Sequence, residues 1–229
     1  MRSRFPKWLA GTAIERYVLH FEACIENAVS AFAASLPAGS RVLDAGAGEG
    51  QYARCFTASR YVGVDLGVGD TAWDYGKLDA IADLTALPFA GGAFDACLNI
   101  VTLEHVPEPA TALRETARSL KPGGRLLLVV PHQWEVHQPP HDYYRYTRFG
   151  VHYLLQRGGF EEIKVEAMGG LFRMLGRRVL NALQFFPAPL MPVAALFLAP
   201  PGLLLPLFDF LDRERSFTLG YICTARKPF

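Results

Sequence analysis

Three aspartates each lie at the end of a short apolar run, and together they could bind a ligand. The runs are Val42-Leu43-Asp44, Val62-Gly63-Val64-Asp65 and Ile81-Ala82-Asp83. Because the carboxyl ends of parallel strands meet at one edge of a sheet, we expect the three carboxylates to lie side by side in the crevice where such sheets bind ligands. Carboxylates there accept hydrogen bonds from hydroxyl and amino groups and attract a cation. The pattern predicts an acidic binding site.

Three glycines at alternate positions, Gly46, Gly48 and Gly50, follow the first aspartate. Only a residue without a side chain allows so sharp a turn and lets a ligand touch the backbone. A dinucleotide-binding loop would have its third glycine one residue later, at Gln51, and Glu49 would repel a phosphate. The loop suits a ligand with a cationic centre and an amino-acid end, such as S-adenosylmethionine. A tight strand-to-helix turn that binds no ligand is the alternative.

The second aspartate has the spacing of a ribose-binding residue. Asp65 lies 21 residues beyond Asp44. A carboxylate at the tip of the second strand can accept both ribose hydroxyls of an adenosine held over the first loop. The alternative role for Asp65 is that of a turn residue or helix N-cap.

Alternating strands and helices position these residues. Apolar residues at three- and four-residue steps predict a helix from about Ile14 to Leu36, which Pro37-Ala38-Gly39 ends. A first strand begins at Arg41; further strands are predicted at 61–65, 80–82, 94–101, 125–131 and 163–168, and helices at 51–57, 109–120 and from about Thr147 to Gly158. Such alternation specifies a doubly wound, mostly parallel α/β sheet.

The length and composition of the 229-residue chain limit the class of protein to which it can belong. That length buries one good-sized core, so we expect one domain with an insertion. The net charge is +1, and positive and negative residues are interspersed along the chain. Such a charge distribution does not attract nucleic acid, so we do not expect nucleic acid as a partner. The four cysteines form no CxxC pair, which is typical of a reducing compartment.

The N-terminal stretch does not resemble a signal peptide. Arg2, Arg4 and Lys7 are basic, but Glu15 and Arg16 interrupt any apolar core before it reaches the necessary length. We therefore expect a cytoplasmic protein, and leave open a peripheral position on the inner face of the membrane.

Six short motifs follow one another in a characteristic order over about 41–168. They are Val42-Leu43-Asp44-x-Gly46-x-Gly48-x-Gly50, Gly63-Val64-Asp65, Asp83-x-x-x-Leu87-Pro88-Phe89, Phe94-Asp95, Leu103-Glu104-His105-Val106 and Leu120-Lys121-Pro122-Gly123-Gly124. In this order the motifs resemble those of class I S-adenosylmethionine-dependent methyltransferases, within the group that includes quinone-biosynthesis C-methyltransferases. The resemblance implies a Rossmann-like, seven-stranded sheet of order 3-2-1-4-5-7-6, with 217–224 as an antiparallel seventh strand.

The resemblance also implies which residues hold the cofactor, S-adenosylmethionine. Asp44 and the loop Gly46–Gly50 would face its methionine end, and Asp65 would hold its ribose. Asp83 and the backbone of Leu84 would contact the adenine amino group, while backbone carbonyls around Asn99 would accept from the methionine ammonium.

The resemblance divides the chain into an N-terminal helical cap (1–40), a methyltransferase domain (41–169 with 217–229) and a hydrophobic insertion between strands six and seven (170–216). The insertion contains no charged residue from Val179 through Phe208. Its length would suffice to cross a bilayer, although its prolines argue against a straight spanning helix. Three interpretations remain: a lid over a lipid-like substrate, an in-plane membrane-docking hairpin, or the surface of a homodimer. Docking is favoured because an exposed charge-free stretch is otherwise an aggregation hazard.

Methyl transfer mainly requires alignment of the acceptor with the donor and, where needed, removal of an acceptor proton. The candidate catalytic residues are His105, His141 and Tyr143, since either histidine could act as a general base and aromatic side chains could shape the acceptor pocket. A structural role is the alternative for each. We predict no metal site, because the spacing of the histidines in the loop 132–147 fits no standard motif.

The sequence therefore predicts an S-adenosylmethionine-dependent methyltransferase acting on a small or lipid-like molecule at oxygen, nitrogen or carbon. The alternative is a non-catalytic module of the same fold that binds the cofactor, a membrane or a partner. A nicotinamide-dependent oxidoreductase is disfavoured by Glu49 and by the spacing of the glycines.

Overall fold

A computed structural model describes residues 11–69 and 72–229. Arg2, Arg4 and Lys7, and with them the first ten residues of the predicted cap, lie outside these ranges. The strands are β1 (Arg41–Ala45), β2 (Arg60–Asp65), β3 (Ala80–Ile81), β4 (Phe94–Ile100), β5 (Leu120–Pro131), β6 (Glu161–Ala167) and β7 (Gly220–Arg226). They form one seven-stranded sheet in the order β3-β2-β1-β4-β5-β7-β6, which confirms the predicted fold and strand order.

The first five strands form the parallel part of the sheet. β1 pairs in parallel with β2 and β4, β2 with β3, and β4 with β5. Val42, Leu43 and Ala45 have no solvent-exposed surface. A parallel sheet covered on both faces requires such nearly continuous apolar strands, and it brings the carboxyl ends of β1, β2 and β3 to one edge.

The last strand runs against its neighbour. The Lys227 amide, just beyond β7, donates to the Gly124 carbonyl near the start of β5, and the Gly123 amide donates to the Lys227 carbonyl. The end of one strand thus lies beside the beginning of the other, as the antiparallel prediction for the seventh strand requires. β7 begins at Gly220 rather than at Phe217, whose side chain is half exposed.

The helices are α1 (Ala13–Val18), α2 (His20–Ala34), α3 (Pro109–Ser119), α4 (Arg148–Arg157), α5 (Leu171–Ala182) and α6 (Met191–Leu204). The prediction of one helix from Ile14 to Leu36 is wrong, because the chain breaks at Leu19, which is buried. The helix predicted at 51–57 is also wrong: only a single 3₁₀ turn, Ala53–Cys55, forms there.

The chain divides into two compact units. One consists of Ile25–Glu166 with Tyr221–Phe229 and holds the sheet. The other consists of Ala167–Gly220 with the described residues up to Cys24. Within the second unit the guanidinium of Arg177, which is 4% exposed, donates to both carboxylate oxygens of Glu22 at 2.8 and 3.1 Å. The predicted boundaries at 40, 169 and 217 remain a prediction.

The predicted insertion is largely helical. α5 and α6 pack on each other, and a 3₁₀ helix continues α6 over Leu205–Leu211. The prolines do not prevent a helix, since Pro200 and Pro201 lie inside α6. Within the described part of the chain, Met191–Leu211 is a 21-residue helical stretch long and apolar enough to cross a bilayer, with 17% of its apolar window buried.

Candidate active site

The glycine loop turns directly beyond β1 and is held by the backbone of β2. The amides of Gly46 and Ala47 donate to the Val64 carbonyl at 2.8 and 3.0 Å. Gly46, Gly48 and Gly50 all have positive φ angles, of 93°, 55° and 71°. A Cβ atom on Gly46 would also overlap the Thr102 side chain. The loop therefore needs glycine at its first position for both backbone conformation and space.

Asp65 ties this loop to the end of β2. One carboxylate oxygen accepts the Gly48 amide at 2.9 Å and the other accepts the Gly67 amide at 2.9 Å. A carboxylate oxygen has more than one acceptor site, so both oxygens keep capacity for further donors. The described contacts thus give Asp65 a structural role and leave room for the predicted ribose contact.

Asp44 and Asn99, at the edge of the sheet, each have a buried oxygen that could accept a hydrogen bond but has no donor. Asp44 is completely buried; its Oδ2 accepts the Tyr61 hydroxyl at 2.5 Å, while its Oδ1 has no hydrogen-bond partner. The side-chain amide of Asn99 donates to the Ala45 carbonyl at 2.8 Å, while the Asn99 Oδ1 has no hydrogen-bond partner. Buried orphan acceptors are costly unless a ligand supplies donors or positive charge. These residues therefore fit the ammonium and sulfonium groups of S-adenosylmethionine.

Burial raises the pKa of Asp44 to about 7, with the Tyr61 hydroxyl opposing the shift and the nearby Asp65 adding to it. Between pH 3.8, the ordinary pKa of an aspartate side chain, and pH 7, the folded protein holds a proton that the unfolded chain has lost. The stabilisation from this proton is present at low pH and is lost as the pH rises through 7.

We expect the pH dependence of stability to report this proton. Without cofactor, Asp44 alone should make the wild-type protein about 2 kcal/mol less stable at pH 8 than at pH 5.5. The asparagine in Asp44→Asn cannot titrate. Between pH 5.5 and pH 8 the unfolding free energy of this variant should therefore fall by about 2 kcal/mol less than that of the wild type. Chemical denaturation at the two pH values measures both slopes. Equal slopes for the two proteins would refute the assignment.

The third aspartate lies at the same edge but forms a local turn. The register pairs Asp65 with Ile81, two residues before Asp83. The Asp83 carboxylate accepts the amide and the hydroxyl of Thr85, each at 2.8 Å. Leu84 beside it is buried, at 6% exposed. Their predicted adenine contact stays a prediction.

The loop 132–147 is fastened to the segment that follows β4. The Glu104 carbonyl accepts the amides of Tyr143 and Tyr144, at 2.9 and 3.3 Å. The Tyr146 hydroxyl donates to the Leu103 carbonyl at 2.9 Å. His105 Nδ1 bonds the His141 carbonyl. The structure thus brings the three predicted catalytic residues, His105, His141 and Tyr143, into one neighbourhood.

The three candidates differ in accessibility. The His105 side chain is 12% exposed, and burial lowers its pKa. His141 Nδ1 lies 3.3 Å from the Tyr143 hydroxyl, and Tyr143 is 45% exposed. Arg145 and Asp142 form a bidentate ion pair, at 2.6 and 2.8 Å, which stabilises the loop. The Arg145 hydrogen bonds lower the pKa of Asp142 to about 2. His141 and Tyr143 are therefore the pair open to an acceptor.

Sequence reasoning missed two features of the site. Tyr61, which donates to Asp44, gives no signal because it lies in an ordinary strand. Thr102 closes the turn from the other side: its hydroxyl lies 3.1 Å from the Gly46 carbonyl and 3.1 Å from the Ile100 carbonyl. The Tyr61–Asp44 and Thr102–Gly46 contacts join residues that are 17 and 56 positions apart in sequence.

Known proteins match less than half of the chain. Residues 43–128 match the family model described as a methyltransferase domain. An uncharacterised methyltransferase of Mycobacterium sp. (strain KMS) is 39% identical over 99 residues, which are 40% of this chain and 39% of that protein. A tRNA (carboxymethyluridine(34)-5-O)-methyltransferase of Arabidopsis thaliana is 35% identical over 107 residues, 44% of this chain and 26% of that protein. The chain thus spans well under half of the length of these curated relatives.

Solved structures share the fold over most of the chain. The [4+2]-cyclase SpnF has a TM-score of 0.55 and 25% identity, covering 88% of this chain and 81% of the cyclase. Haemonchus contortus phosphoethanolamine N-methyltransferase 2 in complex with S-adenosyl-L-methionine has a TM-score of 0.58 and 20% identity, covering 90% of this chain and 53% of that one.

The strand order is the one that the resemblance to class I S-adenosylmethionine-dependent methyltransferases implies, and the orphan acceptors fit that cofactor. The match to the methyltransferase-domain model covers residues 43–128, a segment of the sheet-bearing unit.

Proposed function

We propose that this protein transfers a methyl group from S-adenosylmethionine to a small or lipid-like acceptor at oxygen, nitrogen or carbon. The observation that carries the proposal is the buried pair of unpartnered acceptors, Asp44 Oδ1 and Asn99 Oδ1, beside a glycine turn. When bound, the cofactor supplies an activated methyl group. The turn with Asp44 and Asn99 would then hold its charged end, and Asp65 would hold its ribose.

Removal of the acceptor proton falls to the loop 132–147 in this proposal. His141 is the better candidate for a general base, because its side chain is half-buried beside the exposed Tyr143. His105 is less suited, since its Nδ1 is engaged with the His141 carbonyl and burial disfavours its protonated form. Tyr143 and Tyr144 would present aromatic faces toward an acceptor or a positively charged sulfur.

An apolar surface on α6 and the 3₁₀ helix after it supports a lipid-like acceptor and docking at the inner face of the cytoplasmic membrane. Leu196 and Phe197 on α6 are each 71% exposed, Phe210 on the 3₁₀ helix is 72% exposed, and Phe185, which precedes α6, is 81% exposed. So large an exposed apolar surface is unusual for a monomer in water and typical of membrane or protein contacts. We place a membrane first because the stretch lacks charge over about thirty residues, a length typical of bilayer-contacting segments.

Labelled turnover tests the proposed function. The full chain is incubated with methyl-labelled S-adenosylmethionine and, separately, with a lipid extract, a small-molecule extract and total tRNA from the expressing cells. We expect enzyme-dependent label in the lipid or small-molecule fraction. Label in tRNA alone would overturn the acceptor class, and tight cofactor binding with no transfer to any fraction would favour the non-catalytic module.

A further inference from the structure

Glu104 is a buried carboxylate without a donor. The side chain has no exposed surface, and neither Oε1 nor Oε2 has a hydrogen-bond partner. An ionised carboxylate left alone in such a place is strongly disfavoured, so it must hold a proton or face a cation.

Two imidazoles point their free nitrogens at this carboxylate. His105 Nε2 lies 3.7 Å from Glu104 Oε1, and His137 Nε2 lies 3.8 Å from the same atom. The ligand atoms of the three residues all lie within 4.8 Å of one another. Ligand atoms of a tetrahedral zinc ion are about 3.3–3.5 Å apart, so the two distances to Glu104 would shorten by a few tenths of an ångström and the distance between the imidazole nitrogens by at most about 1.5 Å.

The hydrogen bonds of both rings leave Nε2 as a lone-pair donor to a metal. His105 Nδ1 bonds the His141 carbonyl, and His137 Nδ1 lies 3.1 Å from the Glu135 carbonyl. A carbonyl can only accept, so Nδ1 of His105 carries the proton. At His137 the Glu135 carbonyl is nearer to Nδ1 than the Arg145 Nη2 is, at 3.1 against 3.4 Å, which favours the same tautomer. Metal-binding histidines are typically oriented by this same bond from the second ring nitrogen to a carbonyl.

A cation that lies beside the cluster, Arg145, is already paired with a carboxylate. Arg145 lies 3.4 Å from His137 Nδ1, but its guanidinium is paired with the Asp142 carboxylate at 2.6 and 2.8 Å. Three electron-rich atoms therefore meet, one carboxylate oxygen and two imidazole nitrogens, and the described contacts place no donor among them.

We infer that Glu104, His105 and His137 bind a divalent transition metal ion such as Zn²⁺. One carboxylate and two imidazoles suit this class of ion and leave coordination positions open. The His137 side chain is 24% exposed, which gives the ion a path from solvent. An open position would bind an oxygen of the acceptor and lower its pKa. The expectation of no metal site considered only the histidines of the loop, without Glu104 from another segment.

Cobalt(II) is the probe, because its visible ligand-field bands report coordination directly. We expect the full wild-type chain to bind one Co²⁺ and to lose it to one equivalent of Zn²⁺. Glu104→Gln, which keeps the shape of the side chain, and His137→Ala, at a partly exposed position, should each weaken Co²⁺ binding at least about 100-fold. His152→Asn on α4 is the matched control and should bind like the wild type.

Circular dichroism and thermal melting establish that each variant is folded. Absence of stoichiometric cobalt bands in the wild-type protein would overturn the inference and leave a proton on Glu104 as the alternative. Binding that survives unchanged in folded His137→Ala and Glu104→Gln would place the ion elsewhere and would also overturn it. Since the readout does not involve methyl transfer, it fails or succeeds independently of the proposed function.

Discussion

Replacing Asp65 by alanine should weaken binding of S-adenosylhomocysteine at least about 100-fold. A hydrogen bond to a charged group contributes about 1.5–3 kcal/mol, and the carboxylate would make two to the ribose. The change also releases the amides of Gly48 and Gly67, which hold the loop that receives the ligand. Isothermal titration calorimetry on the full chain measures the loss directly.

A graded pair of variants separates the ribose contact from general damage. Asp65→Asn keeps one oxygen acceptor, so its affinity should fall between those of wild type and Asp65→Ala. Asp95→Asn is the matched control: Asp95 lies at the amino end of β4, where it accepts the Arg41 amide and pairs with Lys121. It should bind within about threefold of wild type. A folded Asp65→Ala protein with wild-type affinity would show that another residue holds the ribose.

The sheet and its acidic edge could be predicted because they depend on local patterns. A buried parallel strand must be nearly all apolar, and β1, β2 and β4 are. The glycines after β1 mark the turn, since only glycine tolerates those φ angles and the contact with Thr102. Asp44 and Asp65 follow from the strands that carry them.

Two helix predictions failed for different physical reasons. The apolar periodicity runs through Leu19 without a breaker, so only the packing that buries this residue ends α1 there. The segment 51–57 has helix-compatible residues but is short. Nucleating a helix costs more than so few hydrogen bonds return, and a single 3₁₀ turn forms at Ala53–Cys55.

The part of the site that would contact the methyl acceptor could be predicted only in part. The sequence marks the loop 132–147 as rich in histidine and tyrosine, and the structure places it against the segment after β4. Which histidine meets Glu104 depends on the path of the loop, and no periodicity encodes that path. His137 was therefore not distinguished from His132, which bonds the Tyr146 carbonyl instead.

Replacing Leu196 and Phe197 by glutamate should reduce partition onto lipid vesicles at least about 100-fold. Each large apolar side chain contributes about 1.5–3 kcal/mol when it leaves water, and a charge in its place opposes insertion. Both side chains are 71% exposed, so the double variant should keep its fold. Sedimentation with vesicles of phosphatidylcholine and phosphatidylglycerol measures the bound fraction.

A matched control distinguishes membrane docking from non-specific hydrophobic adsorption to lipid. Phe149→Glu changes a side chain that is 76% exposed on α4, outside the segment 170–216, and should leave partition unchanged. If the wild-type protein stays in the supernatant, or if the double variant partitions as well as the wild type, docking through this surface is refuted. Concentration-dependent dimers in the absence of lipid, abolished by the same double variant, would assign the surface to a second copy of the chain instead.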